Sequence, residues 1–303
     1  MGIANFNELE KKVIDSKRKF RVAVANAGDS HSIEAIMLAV DKGFVEPVLV
    51  GDKDAIVKIL GEMGRTVPEE NIYDCPDVTE AVAKAVELVR EGKADFLMKG
   101  KLDTSALLKG VVKSGTGLND GNLMSALFIA AIPGCRKLVA VVDGGMLTYP
   151  SLEQKKALIN NTVHAFHCLG CENPKVGVLA CIEKVNPKMP ETVEAAELKR
   201  MNEEGEITGC FVEGPISYDC AMSPASAKEK NFNSPAAGDC DILIAPNIHA
   251  ANILSKALTV TCKAESAGCI IGARCPVVIS SRGSSPEEKC NSIMLAAAVV
   301  LGE

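Results

Sequence analysis

Short uninterrupted apolar runs alternate along this chain with longer stretches whose apolar positions recur every three or four residues. The runs predict strands at 21–27 (RVAVANA), 47–51, 94–98 (ADFLM), 138–142, 176–182, 209–212, 241–245 and 276–280. The longer stretches predict helices at 5–20, 32–42, 53–63, 76–91, 151–169, 191–202, 250–258 and 286–301, with another opening at Asp103 or Thr104. Continuous apolar strands alternating with helices imply a mainly parallel sheet covered on both faces. Ligands of such sheets sit at the carboxyl ends of the strands. That directs attention to Gly28-Asp29-Ser30, Lys99-Gly100-Lys101, Asp143-Gly144, Glu183 to Pro187, Pro246-Asn247 and Ser280 to Ser285. The strand over 209–212 is expected to end at Glu213-Gly214-Pro215.

Composition narrows the possibilities. With 303 residues and 47% hydrophobic positions, the chain can bury a large core without disulfides or metals. A net charge of −6 and no Lys/Arg block argue against a dedicated nucleic-acid or membrane-surface binder. Trp is absent and aromatic residues make up 4%, so base-stacking platforms are excluded and the core must be small and aliphatic. The longest nearly uncharged apolar run, 123–132, has about half of the ~20 residues that a membrane helix requires. The charged start of the chain offers no apolar signal core. The twelve scattered cysteines therefore read as reduced thiols that serve as small buried hydrophobes, in a cytoplasmic protein.

Candidate chemistry concentrates at a few strand ends. Ser280 to Ser285 follows a strand and opens a helix, where terminal amides and the Arg282 guanidinium suit a phosphate or an oxyanion. The same segment reads as a cap, with Ser285 as N-cap, Pro286 at N1 and Glu288 closing a capping box. Lys99-Gly100-Lys101 can bring an ammonium and a backbone amide to one phosphate, or it can be a solvated turn. His164, His167, Cys168 and Cys171 have ligand chemistry. They stand at a helix end closed by Gly170, and no second ligand pair matches them, which favours packing over metal. GxGxxG, GxxxxGK[ST] and GxSxG are all missing. With four histidines in all, the carboxylates best placed for proton transfer are Glu288, Asp143 and Glu213.

The segments 185–196 (VNPKMPETVEAA), Gly214-Pro215, 241–247 (DILIAPN) and Ser281-Arg282-Gly283 resemble the phosphate acetyl/butyryltransferase family over nearly the whole chain. The Val-Asn-Pro-Lys-Met-Pro phrase and the Met98-Lys99-Gly100 turn are closer to the butyryl branch. The resemblance implies two α/β domains with mainly parallel sheets around a cleft, like isocitrate and isopropylmalate dehydrogenases, assembled as a homodimer. The expected division is 1–147 plus 275–303 against 148–274. The implied reaction is reversible: acyl-CoA plus phosphate gives acyl phosphate plus CoA, with butyryl or branched short chains favoured over acetyl. CoA is then a substrate, and no tightly bound cofactor, metal, nucleic acid or membrane is expected. Ser281, Arg282 and Glu288 match the family's catalytic positions. The substrate residues expected beside them are Lys99, Gly100, Lys101, Thr104, Asp143, Asn186, Lys188, Asn247 and Gly283. Three positions depart from the pattern, and at one of them an Asn that usually follows the Asp-small-small motif is replaced by Leu147 or Thr148. A phosphate-binding Arg of the acetyl branch falls near Thr259, and a Ser-His pair of the butyryl branch falls on Ser125-Ala126. They motivate an alternative, a catalytically degenerate protein of the same fold that binds CoA or acyl phosphate.

Overall fold

A computed structural model describes residues 3–279 and 283–303. In chain order the first elements are α1 (Phe6–Asp15), β1 (Phe20–Ala25), α2 (Ser30–Asp41), β2 (Val45–Gly51), α3 (Lys53–Glu62), β3 (Ile72–Asp74), α4 (Val78–Arg90), β4 (Phe96–Lys99) and α5 (Thr104–Val111). Then come β5 (Ser125–Ala131), β6 (Val139–Val142), α6 (Leu152–Leu169), β7 (Lys175–Leu179), α7 (Pro190–Glu203), β8 (Phe211–Ile216), α8 (Tyr218–Met222) and α9 (Pro224–Glu229). The rest are β9 (Ile242–Ile244), α10 (Ile248–Lys256), β10 (Glu265–Ile271), β11 (Val277–Val278) and α11 (Pro286–Gly302).

Local chemistry accounts for most boundaries. Aspartates 29, 52 and 77 cap α2, α3 and α4 by accepting hydrogen bonds from amides of the first turn. Ser151 with Gln154, and Ser285 with Glu288, form complete capping boxes at α6 and α11. Gly170 closes α6 at φ 95°, in the left-handed region that glycine enters without steric cost.

The chain divides into two compact units. The flanking unit comprises 7–124 and 267–301 with Glu303; the central unit comprises 125–266 with residues 3–6 and Gly302. The expected crossing at 147/148 falls in the loop after β6, inside the central unit. The expected crossing at 274/275 falls between β10 and β11, inside the flanking unit. The pairing of β5 with β6, and of β6 with β9, keeps 125–147 with the strands that follow it.

In the flanking unit the strand order is β3-β2-β1-β4-β11-β10. All of these pairings are parallel except that of β10 with β11. The strands read as continuous apolar runs because both faces are covered; every residue of β1 but Arg21 is buried. Helix α11 is buried from Lys289 to Val299 apart from Asn291.

In the central unit the order is β5-β6-β9-β7-β8, with only β5 antiparallel. One of its cores combines Val139, Val141, Leu243 and Ile216 with alanines 130, 221, 227, 236, 245, 251 and 264 and with Cys220 and Cys240. That is the small aliphatic packing expected of a chain without Trp. Eight of the twelve cysteines are buried and none is in a disulfide. Burial pushes the Cys240, Cys269 and Cys275 thiols up to about 12, which keeps them protonated and inert.

Some expected boundaries shift: the helix expected over 5–20 ends at Asp15, and Phe20 opens β1. Strand β8 continues through Glu213-Gly214-Pro215 instead of ending there. Pro215 is tolerated because β8 stands at the end of the strand order, where a missing ladder donor costs little. The helix of the central unit that was expected to reach 258 is α-helical to Lys256 and passes into a π-helical turn at Ala257–Thr261.

Candidate active site

The parallel strands of each unit bring a set of polar residues to one edge. In the flanking unit the carboxyl ends of β1 and β4 carry Asn26 and Lys99-Gly100-Lys101. Val278 of β11 pairs with Met98, so Ile279 leaves the sheet beside Lys99. Gly100 is where the chain cannot bear a side chain. A Cβ there would stand 2.2 Å from the Asn26 carbonyl oxygen and 2.6 Å from that of Ala25. The two strand ends are locked together by backbone. The Gly100 amide donates to Ala25 O (2.9 Å), the Lys101 amide donates to Asn26 O (2.9 Å), and the Asn26 side-chain amide donates to Lys101 O. Asn26 holds a left-handed φ of 58°, which Asn tolerates better than most residues. Its signal in the sequence was an Asn directly after an apolar strand, and no role is expected of it from the motifs.

The cations of this turn differ. The Lys99 ammonium is half-buried and donates to Leu102 O (3.0 Å) and Gly100 O (3.3 Å). Lys101 is exposed. Thr104 is the exposed first residue of α5, after Asp103 at the N-cap position. Ser281 and Arg282 lie outside the described residues. Gly283, just beyond them, is exposed, and a Cβ there would meet nothing within 4 Å. Glu288 accepts from the Ser285 amide (3.2 Å), and its own amide donates to Ser285 Oγ (3.2 Å). The capping reading of Glu288 thus holds in the geometry, and its carboxylate stays partly exposed.

In the central unit, Asp143, Asn247, Glu183 and Ser217 stand beyond the carboxyl ends of β6, β9, β7 and β8. Asn247 caps α10 by accepting from the Ala250 amide (3.1 Å). Asn186 Oδ1 accepts from the Lys188 amide (3.0 Å), and the Asn186 amide donates to Thr192 Oγ1 (2.8 Å). These bonds shape the turn that leads into α7 and leave Lys188 exposed. Asp143 is 2% exposed. Burial raises its carboxyl above the ordinary value, and the amides of Gly145, Met146, Ala126 and Leu147 each pull it back.

A second cluster on this edge was not expected. Lys230 Nζ donates to Glu183 Oε1 (2.9 Å), Asp219 Oδ2 (2.9 Å) and Ser217 Oγ (3.2 Å). Ser217 Oγ also contacts Glu183 and lies 2.6 Å from Asp219 Oδ1. Glu183, Asp219 and Cys220 place possible metal-ligand atoms within 4.8 Å of one another, but the Lys230 ammonium already supplies the positive charge there. These residues come from three separate segments, so spacing carried no signal for their meeting. Glu213, a sequence candidate for proton transfer, is buried inside β8 and ion-paired with Lys199 (2.8 Å), away from the strand ends. At the α6 terminus, His167 Nε2 meets Gly209 O (2.7 Å), and Cys168 and Cys171 are buried.

The pattern of the phosphate acetyl/butaryl transferase family matches residues 69–297. The chain belongs to this family. A phosphate acetyltransferase of Thermotoga maritima is 45% identical over 290 residues, 95% of this chain and 98% of that one. A phosphate butyryltransferase of Clostridium acetobutylicum is 41% identical over 297 residues, 98% of each. The crystal structure of a branched-chain phosphotransacylase from Enterococcus faecalis has a TM-score of 0.81 at 28% identity, covering 93% of this chain and 99% of that one. This phosphate acyltransferase thus matches its relatives over nearly its full length. No helix among its described residues is long and apolar enough to cross a membrane.

Proposed function

We propose that this acyltransferase moves a short acyl group reversibly between CoA and inorganic phosphate, with butyryl or branched short chains favoured over acetyl. The observation that carries the reading is the full-length match to phosphate butyryl- and acetyltransferases. The butyryl preference rests on the Met98-Lys99-Gly100 turn and the 185–190 phrase, and relatives at 41% and 39% identity bear that name. The enzyme works as a cytoplasmic homodimer with no tightly bound cofactor.

The chemistry follows from charge. A phosphate oxygen attacks the thioester carbonyl, the C–S bond breaks, and the acyl C–O–P linkage forms as CoA leaves. Arg282 and Lys101 hold the phosphate dianion, with Lys99 and Gly100 shaping the turn and Thr104 offering a hydroxyl. Ser281 and the amide of Gly283 are the groups that stabilise the developing oxyanion. Glu288 passes a proton to the departing thiolate, a contribution typically worth ~10²–10⁴ in rate. Binding both substrates together makes a covalent enzyme intermediate unnecessary. Asn186, Lys188 and Asn247 are the substrate-side groups of the central unit.

Phosphate-dependent release of CoA from acetyl-, propionyl-, butyryl- and isobutyryl-CoA tests the reading. Butyryl- and isobutyryl-CoA should give the highest kcat/KM. Arg282→Ala should lose most turnover and raise the phosphate KM, and Arg282→Lys should recover only part because an ammonium lacks the planar fork. Absence of phosphate-dependent release with every thioester, together with intact CoA binding, would instead support the degenerate reading. Ala126 and Thr259 motivate that alternative, since Thr259 Oγ1 donates to the helix carbonyls Ser255 O (3.1 Å) and Lys256 O (3.3 Å) and a threonine supplies no cation.

A further inference from the structure

We infer that Asp143 is a positioning residue, which holds the loop after β6 and through it the start of α10, and which makes no contact with substrate. This deepens the proposed acyl transfer and rests on it for its kinetic part. A carboxylate offers about four acceptor sites. At Asp143, Oδ1 accepts from the amides of Gly145 (2.7 Å) and Met146 (2.9 Å), and Oδ2 accepts from Ala126 (3.3 Å). The carboxylate is 2% exposed. Three backbone donors and near-complete burial commit the carboxylate to its own chain and keep it from a ligand.

The Ala126 bond shows what the side chain replaces. Strands β5 and β6 pair with Phe128 opposite Val141 and Ala130 opposite Val139. Continued, that antiparallel register sets Ala126 opposite Asp143, where the ladder has ended. The carboxylate takes the amide that a further ladder step would have used. Gly145 lies close over the same residue, since a Cβ on it would come 3.2 Å from Ala126 Cβ. Small residues at 126 and 145 are what let the loop fold back onto the carboxylate.

The loop hands this position on. With its amides turned inward to Asp143, its carbonyls are available to α10. Gly144 O accepts from Asn252 Nδ2 (3.1 Å), and Thr148 O accepts from the Ile248 amide (3.1 Å). Ile248 follows Asn247, a proposed substrate residue. The path therefore runs from Asp143 through the loop to the first turn of α10, entirely within the central unit.

Asp143→Asn tests this. Its amide can still accept from Gly145 and Met146, but it turns an N–H toward the Ala126 N–H. The kcat/KM for acyl-CoA should fall roughly tenfold per folded molecule, which a stability loss alone would not produce. Hydrogen exchange should quicken in 144–148 and 248–252 and stay unchanged in the flanking unit. Asn252→Ala, on an exposed side chain, should act in the same direction more weakly, and the double variant should fall short of the product of the two. If Asp143→Asn fails to fold, Asn252→Ala decides alone by the same two readouts. Wild-type kcat/KM with unchanged exchange at 248–252 in the folded variants overturns the inference. A wild type that releases no CoA counts against the activity, and the exchange pattern still decides the positioning role.

Discussion

At Glu288, a cap and a proton-transfer group make different demands on one side chain. The cap needs only an acceptor for the Ser285 amide, and that bond is present. Proton transfer needs a carboxyl that titrates. Gln keeps the first property and loses the second. Glu288→Gln should therefore lower turnover by about 10²-fold or more and leave the melting temperature nearly unchanged. Glu288→Ala should lower both, with a stability loss of roughly 1 kcal/mol from the broken box. Wild-type turnover in Glu288→Gln would leave the residue as a cap alone. The serine-to-glutamate spacing made the cap readable from sequence, because a capping box is a local device. The acceptor arrangement around Asp143 was not readable, because one of its donors lies seventeen residues earlier, on an antiparallel neighbour.

Strands and helices divide in the same way between legible and hidden. Strands β1, β2, β4, β6, β7, β8, β9 and β11 each overlap an apolar run legible between helical stretches. Strand β5 lay in an apolar run recognised only as too short for a membrane, and β10 received no assignment. Each is followed by its antiparallel neighbour with no helix between, which breaks the strand–helix rhythm, and the unpredicted parallel β3 has three residues, too few for a run. Helices α8 and α9 have five and six residues, too few for a periodic signal. They carry the cluster around Lys230, whose contribution can be measured through pH. Hydrogen bonds from Ser217 and Lys230 pull the Asp219 carboxyl down from 3.8 to about 2. A depressed carboxyl stabilises the fold above its unfolded value and loses that contribution as pH falls through the folded one. The urea midpoint of Lys230→Met should thus lie below that of the wild type at pH 5 to 7. The gap should narrow below about pH 4 and close near pH 2, since the linkage is complete once both states are protonated. A gap that persists unchanged to pH 2 would show that Lys230 acts by packing instead.

Over the whole molecule, the two units are assembled differently from the chain. The central unit is almost continuous, with five strands supplied between 125 and 266. The flanking unit is split, and β11 joins β4 only after the chain returns. A fragment spanning 125–266 should unfold cooperatively on heating, as followed by circular dichroism. A fragment spanning 7–124 should not, because it lacks two of six strands and the buried face of α11. Cooperative melting of 7–124 alone would show that its four strands suffice.

That split has a consequence for the order of events during synthesis. Emergence from the ribosome presents 7–124 first, yet the strand and helix that complete its sheet are made more than a hundred and forty residues later. The central unit can close while the earlier segment is still waiting, reversing the usual order in which N-terminal parts fold first. Residues 280–288 arrive in the same late stretch as β11 and α11. On the proposed site, a nascent chain would have its central unit folded before Arg282 is made, and a message cut short before that stretch should yield a folded central unit without acyl transfer.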